Sequence, residues 1–223
     1  GKGMELKPKM SPELWDNLIH FEGNANAFRL LAHRFHGRRE GGFVMTYATL
    51  ASIVKYPHSS MAAGKKGKFG FFCFEEHYYR RIADELGIRR LSADGEPLRY
   101  ARHPLVYLVE AADDICYEIM DIEDAHKLRI LSFDETMQLL LGFFDNCQRE
   151  KILKRIDEEG ITDNNEKVVY LRACTIGKLE NECARAFVEH ESEILNGTLQ
   201  GCLIDHITPS VRDAYRHCSE LSV

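Results

Sequence analysis

The sequence predicts an all-α protein. Apolar residues recur at helical spacing over most of the chain, and helix-start and helix-stop residues bracket those runs. Neither a sustained apolar/polar alternation nor a hairpin turn between two strand-like runs is evident; Asn196-Gly197 follows a helical pattern instead.

Taken in order, residues 1 to 10 are polar and lysine-rich and read as a tail or loop end. Ser11-Pro12-Glu13 then gives a capping serine and a proline at the first helical position, leading into Leu14, Trp15, Leu18 and Ile19 at helical spacing. Gly23 interrupts that run. A second helix carries Ala27, Phe28, Leu30, Leu31 and Phe35 to a stop at Gly37, and Arg38-Arg39-Glu40-Gly41-Gly42 forms a loop. Thr46 to Val54 is a short helical stretch ended by Pro57, since the residue before a proline is pushed out of helical geometry. Residues 58 to 70 are small, glycine-rich and carry Lys65, Lys66 and Lys68, which predicts a mobile basic loop. A helix from about Glu75 to Leu86 closes at Gly87, suited to a left-handed cap. His103-Pro104 opens the most strongly patterned helix, to about Ala125, and Ser132-Phe133-Asp134-Glu135 is a capping box for another through Phe144. A long helix runs from about Glu166 to Leu195, and Pro209 opens a last short segment.

Composition narrows the function classes. A chain of 223 residues, 44% hydrophobic and 29% charged, can bury a core without disulfides or a structural metal. Its net charge of −6 argues against a surface built throughout for nucleic acid, while leaving room for a local basic patch. No apolar run is long enough to span a membrane and the N-terminus has no apolar signal core, so the expected location is cytoplasmic, with no membrane partner. Seven cysteines stand singly with no Cys-x-x-Cys pair, the usage of reduced, buried thiols.

Three constellations could carry chemistry. On the 103–125 helix, Asp113, Tyr117 and Asp121 are spaced by four and form one stripe beside Leu105, Val106 and Val109. Two carboxylates and a phenol against a core would be costly without a cation, donors or a ligand; the other reading is a solvated face. Carboxylates are also hard ligands for Mg²⁺ or Mn²⁺. The second constellation is the pair of basic loops, Val54-Lys55-Tyr56-Pro57 and Lys65-Lys66-Gly67-Lys68-Phe69-Gly70-Phe71-Phe72, suited to a polyphosphate or simply solvated. The third, His20-Phe21-Glu22-Gly23-Asn24-Ala25-Asn26-Ala27-Phe28-Arg29, sets a glycine, two asparagines and charges into a helical pattern at a cost in helix stability, as functional sites often do. His33 and His36, spaced by three, lack a neighbouring carboxylate or cysteine in sequence and read as surface histidines.

Together and in this order the constellations resemble the deoxyguanosine triphosphate triphosphohydrolase family of the HD-domain superfamily. The stretches that carry the resemblance are His20-Phe21-Glu22-Gly23-Asn24-Ala25 with Phe28-Arg29-Leu30-Leu31, Leu50-Ala51-Ser52-Ile53-Val54-Lys55-Tyr56-Pro57, Lys68-Phe69-Gly70-Phe71-Phe72, and His103-Pro104 through Tyr117. It spans roughly residues 15 to 130, the remainder matching by helical character alone.

The resemblance implies an HD-domain-like helical bundle, present in part as a single domain over residues 1–223. It implies hydrolysis of dGTP or another deoxynucleoside triphosphate to deoxynucleoside and tripolyphosphate, with a divalent metal ion as cofactor. It casts Asp113 as a metal ligand, Tyr117 and Asp121 as the pair that reads the sugar and its 3′-hydroxyl, Lys55, Tyr56 and Lys68 as neighbours of the phosphates, and Asn24 as a polar residue of the pocket. It also implies a homo-oligomer and a response to single-stranded DNA or a dNTP effector. No His-Asp dipeptide occurs in the 223 residues. The other metal ligands and the acid/base histidine-glutamate segment are accordingly expected upstream of residue 1, which would make this chain an internal part of a longer enzyme, unable alone to hold a catalytic metal tightly. The alternative is a helical nucleotide- or single-stranded-DNA-binding module without turnover, using Lys65, Lys66, Lys68, Arg38 and Arg39 on phosphates.

Overall fold

Serine before proline starts the first helix as the sequence predicts: in the computed structural model, which describes residues 7–33, 36–37 and 42–221, Ser11 accepts the Leu14 N–H and Pro12 stands in the first turn. Helix α1 covers Pro12–Ile19 and α2 covers Gly23–Ala32. Gly23 therefore opens a helix, and the helix stops five residues short of Gly37, with His33 as its extended cap; Phe35 lies outside the described residues. Helix α3 (Tyr47–Ser52) starts at a Thr46 cap, and α4 (Glu76–Leu86) ends at Gly87, whose φ of 65° is the left-handed geometry that glycine adopts without a Cβ penalty.

Helix α5 is Pro104–Lys127, α6 is Phe133–Leu141 and α7 is Asn146–Glu158; Ser132 and Asp145 each close a reciprocal capping box. The predicted long helix divides into α8 (Asn164–Glu189) and α9 (Glu191–Leu195), with His190 between them, and α10 occupies Pro209–Leu221. No strand occurs among the described residues; extended backbone pairs only as isolated bridges, Ser59 with Phe71 among them. The chain is all-helical. None of its described helices is long and apolar enough to cross a membrane.

Residues 1–109 with 192–199 form one compact unit, and 110–191 with 200–223 form a second. The first is organised on α2, α3 and α4 around Phe28, Leu50, Phe71, Tyr79 and Ile82, all fully buried. Tyr79 stacks on Phe71 at 4.7 Å and meets Phe28 edge-on at 5.7 Å, so three rings fix how α2 and α4 meet the 69–72 segment. In the second unit α6 and α8 pack together, burying Leu140, Leu171 and Leu179, and α5 contributes Ile115, Ile119 and Ile122.

Two expectations need correcting. The 58–70 stretch is anchored at both ends: Ser59, Ser60, Phe69 and Gly70 are buried, and two short 3₁₀ turns occupy Ser60–Ala62 and Gly64–Lys66. Its glycines serve tight turns and a close approach. Among the cysteines only Cys183 and Cys218 are buried, while Cys116 and Cys147 are exposed; helical context did not reveal which helix face each occupies.

Candidate functional site

The first unit gathers four of the sequence-predicted residues, Asn24, Lys55, Tyr56 and Lys68, into one corner. At the N-terminus of α2, Glu22 is the cap, and its carboxylate is 4% exposed. One oxygen accepts the backbone N–H groups of Asn24 at 2.5 Å and Ala25 at 3.2 Å; the other accepts the Asn24 side-chain amide at 2.9 Å and the Lys68 ammonium at 3.2 Å. Burial works to raise the Glu22 pKa, but these donors outweigh it and hold the carboxyl below its ordinary value. Asn24 and Lys68, 44 residues apart in sequence, are thereby joined through a single acid that sequence reasoning placed in the motif without a role.

Lys55 and Tyr56 reach the same neighbourhood through backbone. The Gly70 N–H bonds the His58 carbonyl at 3.1 Å, and a Cβ at position 70 would collide with the Tyr56 carbonyl oxygen and the Val54 side chain. Only glycine lets the 68–71 segment lie this close to the 54–57 loop. Lys55 and Tyr56 are half-buried, Asn24 is half-buried and Lys68 is exposed. Arg29 flanks the corner, 3.6 Å from Glu75 and over the ring of Phe72. Burial raises the Glu75 pKa despite that arginine, and one of its oxygens is buried without a partner.

A cleft of about 430 Å³ adjoins the basic segment, lined by Asp16, His20, Ser60, Lys65, Gly67 and Phe69 among others, with His20 Nδ1 2.8 Å from Asp16. Arg38 and Arg39, candidates for phosphate contact, lie outside the described residues.

In the second unit, α5 sorts its polar groups onto two faces. Tyr215 donates to the Asp114 carbonyl, Ser219 donates to the Glu118 carboxylate at 2.7 Å, and Glu123, 3% exposed, is held by Arg172 and Lys127, each at 2.6 Å. Asp113, Tyr117 and Asp121 occupy a different face and are exposed, Tyr117 by 68%. The stripe is therefore not pressed against a core. The apolar residues beside it, Leu105, Val109 and Met120, are exposed as well, because α5 buries a separate row that includes Val106, Ala111, Ile115 and Ile119.

Asp113 offers exposed hard oxygen on a regular helix, but no group of three or more His, Cys, Asp or Glu able to hold a metal ion occurs among the described residues. His33 and His36 are exposed and belong to no such group. Among the described residues Asp113 is thus a single exposed carboxylate without companion donors.

Comparison with known proteins agrees with the motifs. Over 204 residues the chain is 38% identical to a deoxyguanosinetriphosphate triphosphohydrolase-like protein of Pseudomonas aeruginosa (strain LESB58), a match covering 89% of this chain and 44% of that relative. The chain belongs to the deoxyguanosinetriphosphate triphosphohydrolase-like family. A Synechocystis member with the same description is 34% identical over 194 residues, and the deoxyguanosinetriphosphate triphosphohydrolase of Yersinia enterocolitica is 27% identical over 214. No family model matches the chain. The chain spans less than half the length of these curated relatives, at 39% to 44%. In this deoxyguanosinetriphosphate triphosphohydrolase-like chain, the corner at Glu22 and the exposed stripe of α5 both present accessible polar side chains from the stretches that carry the resemblance.

Proposed function

We propose that this chain supplies nucleotide-binding residues of a metal-dependent deoxynucleoside triphosphohydrolase that releases tripolyphosphate from dGTP or a related dNTP. The observation that carries this reading is the convergence of Asn24, Lys55, Tyr56 and Lys68 on one corner of the first unit, joined by Glu22 and by the close approach at Gly70. Lysines on a glycine-bearing segment offer point charges to a polyphosphate, and two of them offset charge that develops on a tripolyphosphate leaving group.

On α5, Tyr117 and Asp121 are assigned to the sugar, where a phenol and a carboxylate hydrogen-bonded to the 3′-hydroxyl would select against analogues lacking it. Asp113 is assigned as one oxygen ligand of a divalent ion such as Mg²⁺ or Mn²⁺. When bound, such an ion contributes charge stabilisation at a phosphoryl oxygen. The proposal places the protein among cytoplasmic homo-oligomeric enzymes.

The test is release of tripolyphosphate from dGTP by the whole protein, with and without divalent metal. Metal-dependent release that disappears in Asp113→Ala supports the enzyme reading. The second reading, a nucleotide- or strand-binding module without turnover, draws on exposed Lys65 and Lys68. It requires binding of single-stranded DNA that survives Asp113→Ala and fades steeply with salt.

A further inference from the structure

We propose that Glu22 is a positioning residue for the triphosphate, holding the Lys68 ammonium and the Asn24 side chain where phosphate oxygens meet them; this rests on the assignment of Lys68 and Asn24 to the nucleotide. The geometry points to a holder and not to a reacting group. A carboxylate offers about four lone-pair sites, and the four donors on Glu22 fill them. With its side chain 4% exposed, the acid has no free oxygen for a metal or a substrate proton.

Lys68 differs. Its side chain is 50% exposed, and its ammonium spends one of three N–H donors on Glu22, leaving two for an anion. A lysine on a flexible stem normally loses rotamer freedom when it binds phosphate. Here that ordering is made in advance by a charge-assisted bond to a buried acceptor. Asn24 is fixed the same way, its backbone and side-chain N–H groups donating to opposite oxygens of the same carboxylate. Glu22 also caps α2, so a merely structural role must be separated from the positioning role.

Glu22→Gln makes that separation. Its carbonyl oxygen can keep accepting the Asn24 and Ala25 backbone amides, while its new NH₂ faces the Asn24 amide and the Lys68 ammonium, donor against donor. Glu22→Asp is the second variant: aspartate is a favoured helix cap, but one methylene less withdraws the carboxylate from Lys68. The probe is inorganic tripolyphosphate, titrated by calorimetry into the 223-residue chain, wild type against Glu22→Gln, Glu22→Asp, Lys68→Gln and the double Glu22→Gln/Lys68→Gln.

Each Glu22 variant is expected to weaken binding about tenfold, and the double variant to lose clearly less than the two single losses combined, because the acid works in part through the lysine and in part through Asn24. Binding unchanged or tighter in Glu22→Gln and Glu22→Asp would overturn the proposal, the acid being then a cap or a competitor of the phosphate. Losses that add in full in the double variant would overturn it too. Wild-type binding by Lys68→Gln would instead remove the underlying phosphate assignment of Lys68, and the proposal with it.

Discussion

The corner at Glu22 and the stripe on α5 carry similar polar groups under opposite conditions. In the corner, a buried acid collects donors from two distant segments, so the places of Asn24 and Lys68 are fixed through it. On the stripe, Asp113, Tyr117 and Asp121 stand in solvent on a helix whose other face is tied down by Arg172, Lys127, Ser219 and Tyr215. The difference teaches that exposure and order can be supplied separately. The corner orders its side chains through hydrogen bonds, whereas the stripe relies on the rigidity of the helix beneath it and leaves the side chains open to a ligand.

Four measurements would break or sharpen this contrast. Asp113→Ala is expected to lower metal-dependent triphosphohydrolase activity of the whole protein on the order of 100-fold or more. Its thermal midpoint should stay near that of the wild type, because an exposed side chain is removed. A large loss of stability would show that the stripe is structural after all. Gly70→Ala is expected to cost about 1–3 kcal/mol of unfolding free energy, since the added methyl meets a backbone carbonyl that cannot swing aside; urea denaturation checks it.

A third measurement probes acid stability in the second unit. There Glu182 on α8 is pressed upward in pKa by burial, yet bonds from Thr208, Arg185 and Lys178 bring it down to about 2. A depressed carboxyl stabilises the fold fully above its unfolded value and loses that contribution as pH falls through its folded one. Wild-type stability should therefore decline between about pH 4.5 and 2. In Glu182→Gln that part of the decline, on the order of 2 kcal/mol, should be absent in acid denaturation followed by circular dichroism. The smallest effect is expected for Lys55→Ala, a few-fold weaker tripolyphosphate binding with a lower salt slope, because one half-buried lysine shares the charge with others.

Much of the fold was legible because caps are local. Ser11-Pro12, Thr46, Gly87 and the Ser132 box act within one turn of themselves, and each does what its neighbours dictate. Helix α7 was not read from its pattern, since Ile156 is its one buried residue and leaves too thin an apolar stripe; the Asp145-x-x-Gln148 box was the available signal. The early end of α2 and the break at His190 are backbone changes at single cap residues, which apolar periodicity does not encode. In the site, residue types and order were visible, but the tie from Glu22 to Lys68 crosses 46 residues and no spacing rule reaches that far. The face of α5 taken by Asp113 was legible as a stripe. Its exposure was legible only as one of two readings, because Leu105 and Val109 look like core residues and are not buried.

Gly70 carries no charge, donates only through its backbone and would be passed over in any search for reactive groups. Yet it sets the gap between the two basic segments, as a spacer of zero thickness. In a mutational scan scored on ligand binding, position 70 should therefore behave like a contact residue, with losses that grow with side-chain bulk and ignore side-chain polarity. The empty space at its Cα is as much a component of the corner as the lysines on either side.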